Sequence, residues 1–292
     1  MLPAVVSLAV LGGIFGVVLA FASKRFRVEE DPRVTAIIDI LPGANCGACG
    51  FPGCAGLAVA ISNGSAPIDA CLPGISNAWK IAEIMGVEAN QEERLVSQLA
   101  CNGGKYDSKD KYKYEGVQDC RAAMQLFGGY KACPSACMGL GTCVKVCPFN
   151  AVVIGPNGLP VIDYDRCTGC GICVSHCPKN LLHLVSADHF VHVRCSNVEK
   201  GKDAKAVCKA ACIKCGLCEK NCPQEAVKII AVEGGTLPVI DYEKCVNCGT
   251  CITKCPTGAI GRSTQYAEEV AITKEEDPFS CVNCPVSEMC RR

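Results

Sequence analysis

A single cysteine motif recurs along this chain and limits what the chain can fold into. Cys167, Cys170, Cys173 and Cys177, followed by Pro178, have the spacing C-x2-C-x2-C-x3-C-P. Four thiolates at this spacing are typical of 4Fe–4S iron–sulfur sites. Zinc ribbons also use C-x2-C pairs, but a third evenly spaced cysteine and a Cys-Pro ending favour iron–sulfur. The spacing recurs in Cys212, Cys215, Cys218, Cys222 and Pro223 and in Cys245, Cys248, Cys251, Cys255 and Pro256.

The composition excludes several other classes of protein. Of 292 residues, 27 are cysteine and only 5% are aromatic, so the chain cannot build one large aliphatic and aromatic core. The cysteine count is odd and many cysteines lie in C-x2-C pairs, which argues against a disulfide framework. The 29 basic and 29 acidic residues give a net charge of zero. That balance argues against a nucleic-acid-binding protein with an overall positive field.

The N-terminus predicts a membrane anchor. Residues 2–22 form an uninterrupted apolar or small-residue run. As a helix this run would be about 31 Å long, close to the thickness of about 30 Å of a bilayer's hydrocarbon core. Lys24, Arg25 and Arg27 follow, and basic flanks tend to stay in the cytoplasm. We therefore expect a single-pass protein of the cell membrane with its iron–sulfur domains on the cytoplasmic side. A cleaved signal peptide is the alternative, but no positively charged segment precedes the run.

A repeated lead-in segment indicates an internal duplication. Leu-Pro-Val-Ile-Asp-Tyr precedes Cys167 and again precedes Cys245, each time with two residues between. This predicts two modules, residues 133–187 and 209–263, each with two cysteine motifs and a short strand after each Cys-Pro pair. One motif departs from the pattern, because Leu140 stands where its second cysteine belongs.

A different cysteine motif precedes the modules. Its spacing is C-x2-C-x4-C-x16-C, and its glycines let the backbone bend around a cluster and present N–H groups to the sulfurs. Residues 55–62, 77–86 and 91–99 are predicted as short helices, the last ended by the glycines that follow it. The motif consists of Cys46, Cys49, Cys54 and Cys71.

The order of these parts resembles the B subunit of the Rnf complex, in its long multi-cluster type from anaerobes. That order is an apolar N-terminal segment, the C-x2-C-x4-C-x16-C motif, Cys-Asn-Gly-Gly at residues 101–104, and tandem ferredoxin modules. The resemblance covers nearly the whole chain. Rnf is an ion-translocating ferredoxin:NAD oxidoreductase, a membrane complex that passes electrons between ferredoxin and NAD and moves Na+ or H+.

The resemblance implies an electron-transfer subunit. It would accept electrons from reduced soluble ferredoxin and relay them through 4Fe–4S clusters toward the membrane subunits. Flavin and NAD would be bound by other subunits, and this chain has no G-x-G-x-x-G fingerprint. The implied partners are the membrane and NAD/flavin subunits and soluble ferredoxin, with no nucleic acid.

The resemblance to two-cluster ferredoxins also implies a crossed set of ligands, in which the fourth cysteine of one motif serves the cluster of the other. At the irregular motif, Cys133 is the nearest replacement for the ligand missing at Leu140; the alternative is a three-ligand or three-iron cluster. The expected sets are Cys46, Cys49, Cys54 and Cys71 (cluster 1); Cys133, Cys137, Cys143 and Cys177 (cluster 2); Cys167, Cys170, Cys173 and Cys147 (cluster 3); Cys212, Cys215, Cys218 and Cys255 (cluster 4); and Cys245, Cys248, Cys251 and Cys222 (cluster 5).

Seven cysteines remain outside these five sets. One hypothesis is that four of them converge on an additional cluster; the alternative is buried free thiols. The other three form an irregular C-terminal motif for which a cluster, zinc or no metal are all open. The count is then at least five clusters, and six or seven if these cysteines also bind. The two groups are Cys101, Cys120, Cys195 and Cys208, and Cys281, Cys284 and Cys290.

The predicted fold class is α+β, with no catalytic residue on this chain. Two other functions stay open: a membrane-tethered polyferredoxin of a hydrogenase or another dehydrogenase, and a zinc-stapled scaffold with no redox role. The predicted order is a transmembrane anchor with its basic flank (1–27), a small helical 4Fe–4S domain (28–100), a linker with extra cysteines (101–132), ferredoxin module 1 (133–187), an inter-module segment (188–208), ferredoxin module 2 (209–263) and a C-terminal tail (264–292).

Overall fold

The computed structural model describes residues 2–25, 31–88 and 93–262. Helix α1 comprises Leu2–Arg25, and its side chains are described from residue 11 onward. Among the residues whose side chains are described, no helix has the length and the apolar composition of a membrane span. The predicted anchor therefore stays a prediction.

Three α-helices and a 3-10 helix form a small N-terminal domain. Helix α2 (Pro32–Ile40) begins after Asp31, whose side chain accepts a hydrogen bond from the Arg33 N–H at 2.9 Å. Helix α3 (Cys54–Ser62), a 3-10 helix (Leu72–Asn77) and α4 (Ala78–Met85) follow. The helices predicted at 55–62 and 77–86 are therefore confirmed. The apolar core consists mainly of Ile37, Leu57, Ile61 and Ile81.

The first ferredoxin module is built from two antiparallel strand pairs. The outer pair joins β1 (Leu95–Leu99) to the last strand of the module, and the inner pair is a hairpin. Three short helices carry cysteines or lie beside them. The remaining elements are α5 (Cys120–Met124), α6 (Thr142–Lys145), β2 (Val152–Ile154), β3 (Pro160–Ile162), α7 (Ile172–His176) and β4 (Leu182–Ser186).

The helix predicted over residues 91–99 is wrong, because residues 95–99 form strand β1. Val96 to Leu99 are all buried, on both faces of the strand, so the alternation that identifies a half-buried strand is missing from the sequence. Pairing with β4 supplies the backbone partners that a helix would have found within itself.

The second module repeats this plan with the same strand order. Strand β5 (Val191–Val193) pairs with the last strand, and a longer hairpin lies inside. The short strands predicted after the Cys-Pro pairs are confirmed in both modules. The remaining elements are α8 (Gly201–Val207), α9 (Leu217–Lys220), β6 (Val227–Val232), β7 (Gly235–Ile240), α10 (Thr250–Lys254) and β8 (Ile260–Arg262).

The first strand of each module lies before the bounds expected from the sequence. Strand β1 precedes residue 133 and β5 precedes residue 209, so residues 101–132 and 194–208 are enclosed between the first strand and the first cysteine motif. These insertions contain four of the seven cysteines left unassigned, namely Cys101, Cys120, Cys195 and Cys208. The fold therefore brings the insertions against the modules instead of leaving them as free linkers.

Candidate metal centres

The structure brings the four cysteines of the N-terminal motif together. Burial and, to a smaller extent, the nearby thiols of Cys54, Cys49 and Cys46 together raise the pKa of the Cys71 thiol to about 11. The loop is held by Asn45, whose side-chain oxygen accepts a hydrogen bond from the Cys54 N–H at 2.8 Å. A bound cluster would hold these cysteines as thiolates, because coordination to iron compensates for the burial and the mutual repulsion that otherwise disfavour the charged form.

In module 1, the expected third set lines one space beneath strand β1. Cys147, Cys167, Cys170 and Cys173 surround about 310 Å³. The Ser97 N–H donates to Cys167 Sγ at 3.4 Å, and burial raises the pKa of the Cys173 thiol to about 11. Hydrogen bonds to ligand sulfur stabilise negative charge and so favour the reduced state of a cluster.

Module 2 presents two equivalent spaces. Their volumes are about 340 Å³ and 300 Å³. The Ala226 N–H donates to Cys222 Sγ at 3.3 Å, as Ala151 and Leu181 donate to the corresponding cysteines of module 1 at 3.4 Å. Each space is lined by the three leading cysteines of one motif and the last cysteine of the other, namely Cys212, Cys215, Cys218 and Cys255, and Cys222, Cys245, Cys248 and Cys251.

The second set of module 1 differs from the expected one. Burial and, to a smaller extent, neighbouring thiols that include Cys120 and Cys177 raise the pKa of the Cys143 thiol to about 12. Cys143 and Cys120 are likewise among the thiols that raise the pKa of Cys137. The structure therefore groups Cys120, and not Cys133, with the other three.

Helix α5 explains why Cys120 reaches this position. Asp119 caps the helix by accepting hydrogen bonds from the N–H groups of Arg121 and Ala122, at 2.8 and 3.0 Å. The Thr142 hydroxyl accepts from the Cys120 N–H at 2.7 Å and donates to the Asp119 carboxylate at 3.0 Å. The start of α5 is thereby tied to α6, beside the place that Leu140 leaves without a thiol.

Cys133, expected in cluster 2, instead lies in a separate space with three cysteines that the sequence analysis left unassigned. This space has a volume of about 280 Å³. Within the described ranges, no group of three or more His, Cys, Asp or Glu side chains is arranged to hold a single metal ion. Cys281, Cys284 and Cys290 lie outside the residues that the structure describes. The four cysteines that line the space are Cys101, Cys133, Cys195 and Cys208.

Family models match most of the cysteine-bearing segments. The model described as "Putative Fe-S cluster" matches residues 41–73. Those described as "4Fe-4S binding domain" match 134–150 and 160–183, and two described as "4Fe-4S dicluster domain" match 211–259 and 237–292. The chain therefore binds several 4Fe–4S clusters.

Curated proteins similar to this chain share one description, each being the B subunit of an ion-translocating oxidoreductase complex. That of the Na(+)-translocating ferredoxin:NAD(+) oxidoreductase complex of Acetobacterium woodii is 46% identical, over 90% of this chain and 78% of that protein. That of the ion-translocating oxidoreductase complex of Methanosarcina acetivorans is 40% identical, over 82% and 90%. That of the proton-translocating ferredoxin:NAD(+) oxidoreductase complex of Clostridium ljungdahlii is 46% identical, over 77% and 80%.

These relatives are 40–46% identical to this chain over 77–90% of its length, and the matched iron–sulfur models cover segments that contain its cysteine motifs. The chain therefore belongs to the family of B subunits of ion-translocating ferredoxin:NAD oxidoreductase (Rnf) complexes, and it is an iron–sulfur electron-transfer subunit.

Proposed function

We propose that this chain is the electron-input subunit of its complex. It accepts electrons from reduced soluble ferredoxin and passes them toward the membrane subunits, where other chains carry flavin and NAD and move Na+ or H+. A bound 4Fe–4S cluster supplies one-electron transfer without making or breaking a substrate bond. The residues of the chain hold the clusters and fix their order.

The proposal rests on the continuity between neighbouring cysteine sets. Cys46 of the N-terminal motif is among the thiols that, after burial, raise the pKa of Cys170 in module 1. Within module 1, Cys173 of one set is similarly a neighbour of Cys143 in the other. Electron tunnelling weakens steeply with distance, so adjacent ligand sets are what a relay requires. The N-terminal set, next to the anchor in sequence, is the proposed exit.

We further infer that residues 2–22 anchor the chain in the membrane. The large apolar side chains described in α1, from Leu11 to Phe21, are 56–71% exposed, and the other residues of this stretch are glycine or alanine, so no side of the helix carries a polar or charged group. Such an all-round apolar surface suits a lipid environment. Lys24 and Arg25 in the last turn support a cytoplasmic location for the iron–sulfur domains.

The relay is tested by replacing one ligand of the proposed exit. Cys46→Ser, in the complete complex, is expected to lower ferredoxin-dependent NAD reduction at least tenfold, because electrons could no longer leave module 1 through this set. The measurement is anaerobic NADH formation with reduced ferredoxin as donor. Iron and sulfide analysis of the same sample reports whether only the N-terminal set has lost its cluster.

The matched control is Ala48→Ser, which adds a hydroxyl in the same loop without removing a thiol. This control is expected to keep both its iron and its activity. If Cys46→Ser loses the iron of one set and NADH formation continues at the original rate, electrons do not leave through the N-terminal motif.

A further inference from the structure

The space between the two ferredoxin modules has the features of another cluster site. It is lined by the four cysteines Cys101, Cys133, Cys195 and Cys208, of which three are buried and Cys195 is partly buried. Its volume of about 280 Å³ is close to the 300–340 Å³ of the three ferredoxin sites that the structure outlines. The matched 4Fe–4S models begin at residue 134 and leave 184–210 uncovered, so all four of these cysteines lie outside them.

Both modules contribute to this space from corresponding positions. Cys101 lies two residues after the end of β1, and Cys195 lies two residues after the end of β5. The backbones of these two cysteines meet in an antiparallel bridge. Each module also provides a cysteine four residues before the first cysteine of its motif, namely Cys133 before Cys137 and Cys208 before Cys212. The four thiols are therefore two equivalent pairs that face each other across the junction of the modules.

The hydrogen bonds around the thiols follow the same symmetry. The Cys137 N–H donates to Cys101 Sγ at 3.4 Å, and the Cys212 N–H donates to Cys195 Sγ at 3.3 Å. The buried Asn197 amide donates to Cys133 Sγ at 3.2 Å. Three of the four sulfurs thus accept a hydrogen bond, which is the outer support that ligand sulfurs receive at iron–sulfur sites.

Two more features fit an anionic cluster. A Cβ at Gly103 would lie 2.8 Å from Cys208 Sγ, so only glycine lets the backbone approach the sulfur this closely. Arg194 lines the same space and is only 7% exposed. A buried guanidinium is stabilised by nearby negative charge, which four cysteine thiolates around a 4Fe–4S core would supply.

We propose that Cys101, Cys133, Cys195 and Cys208 hold a further 4Fe–4S cluster at the junction of the two modules. Cys137 and Cys212, whose N–H groups reach this site, belong to the neighbouring cysteine sets of module 1 and module 2. The site therefore connects the two modules. Its place in the relay rests on the proposed function, whereas cluster binding itself does not.

The test counts iron in paired substitutions of the full chain, produced anaerobically. Cys101→Ser, Cys133→Ser and Cys120→Ser are each expected to lose about four iron and four sulfide atoms. The double variant Cys101→Ser with Cys133→Ser is expected to lose the same four iron atoms as either single variant, because both cysteines bind one cluster. Cys101→Ser with Cys120→Ser is expected to lose about eight. The matched control Ser135→Ala, beside Cys133, is expected to lose none.

Three results would overturn the proposal. Iron content that is unchanged in Cys101→Ser and Cys133→Ser would identify free thiols, and loss of about one zinc would identify a zinc site. A loss of about eight iron atoms in Cys101→Ser with Cys133→Ser would show that the two cysteines bind different clusters. It would place Cys133 in the other set of module 1.

A milder variant keeps the proposal testable if the serine variants fail to fold. Asn197→Asp keeps the oxygen that accepts the Glu199 N–H at 2.7 Å but replaces the amide that donates to Cys133 Sγ at 3.2 Å and to the Glu199 carboxylate at 3.1 Å by a negative charge. The iron content is expected to stay unchanged and the reduction potential of a single cluster, followed by EPR during redox titration, is expected to fall. If no cluster changes its potential, no cluster is bound at Cys133.

Discussion

One backbone position has the same conformation in all four ferredoxin motifs but different neighbouring atoms. The residue two after the first motif cysteine has a positive φ in all four ferredoxin motifs, at Gly139, Gly169, Lys214 and Asn247. At Gly169 an added Cβ would lie 2.5 Å from the Leu95 carbonyl oxygen. Glycine is therefore required at 169 by strand β1 and not by the cysteine motif itself.

We expect Gly169→Ala to lower the temperature at which the clusters are lost. A left-handed alanine costs about 1–2 kcal/mol, and the contact with a backbone oxygen adds to this cost because β1 cannot rotate away. The control is Gly216→Ala, which also has a positive φ but nothing within 4 Å of the added Cβ. The loss of cluster absorption on heating measures both. Equal shifts for the two variants would contradict a role for Leu95.

At the residue scale, the sequence predicts that cysteines are the ligands better than it predicts which cysteines share a cluster. The regular motifs predict the cysteines that line three of the spaces, since spacing along a short loop fixes which thiols can converge. At Leu140 there are two candidate replacements, Cys133 and Cys120. Proximity along the chain favours Cys133, but the cap at Asp119 and the Thr142 contact bring Cys120 to the position beside Leu140.

At the scale of elements, strand β5 contains a buried histidine in the core of module 2. His192 is 1% exposed, and its Nδ1 lies 2.8 Å from the Tyr242 hydroxyl. The pKa of His192 is lowered to about 4, mainly by burial; a hydrogen bond with the His189 backbone opposes this shift, and the nearby His189 and Arg194 add to it. The imidazole is therefore neutral in the folded protein at pH 7.

We expect the stability of module 2 to fall as the pH drops from 6.5 toward 4. In this window the unfolded chain protonates His192 and the folded chain does not, so the contribution of this group is fully present above pH 6.5 and declines below it. At pH 5.5 the penalty is about 1.4 kcal/mol. The temperature of cluster loss, compared at pH 7.5 and 5.5, should fall less in His192→Gln than in the unaltered chain.

The control for this prediction is His176→Gln, a histidine of module 1 that is not fully buried. It should retain the full pH dependence of the unaltered chain. An identical pH dependence in His192→Gln and His176→Gln would show that another group dominates this window.

The elements also show where periodicity is informative. The helices at 55–62 and 77–86 pack one apolar face on the N-terminal core, so their pattern is visible in the sequence. Strand β1 is buried on both faces and finds its partner about 85 residues later, in β4. A local pattern cannot record such a pairing, because the decisive contact belongs to distant residues.

At the scale of the whole molecule, we expect removal of residues 2–22 to release the chain from the membrane. Produced without its partner subunits, the shortened chain should appear in the soluble fraction with unchanged iron per chain, because the cysteine sets lie beyond this segment. Centrifugation and iron analysis measure both properties. The control Lys24→Gln with Arg25→Gln keeps the apolar length and should stay with the membrane.

Folded, iron-loaded shortened chain that still sediments with membranes would show that another surface holds it there. Absence of the full-length chain from the membrane fraction would equally contradict an anchor. The positions of the cysteine motifs can be identified from the sequence, since each motif has its own spacing. The way in which the insertions fold between the modules cannot, because the cysteines that meet there lie far apart along the chain.

The antiparallel bridge between Cys101 and Cys195 has a consequence for how such a chain can arise. Each module supplies only two of the four thiols at the junction, so a single module holds half of a site. A lone module could complete that site only by associating with a second copy of itself about a twofold axis. The tandem chain resembles such a dimer with its two copies joined in one polypeptide. Separating the two modules would leave two of the four cysteine ligands on each.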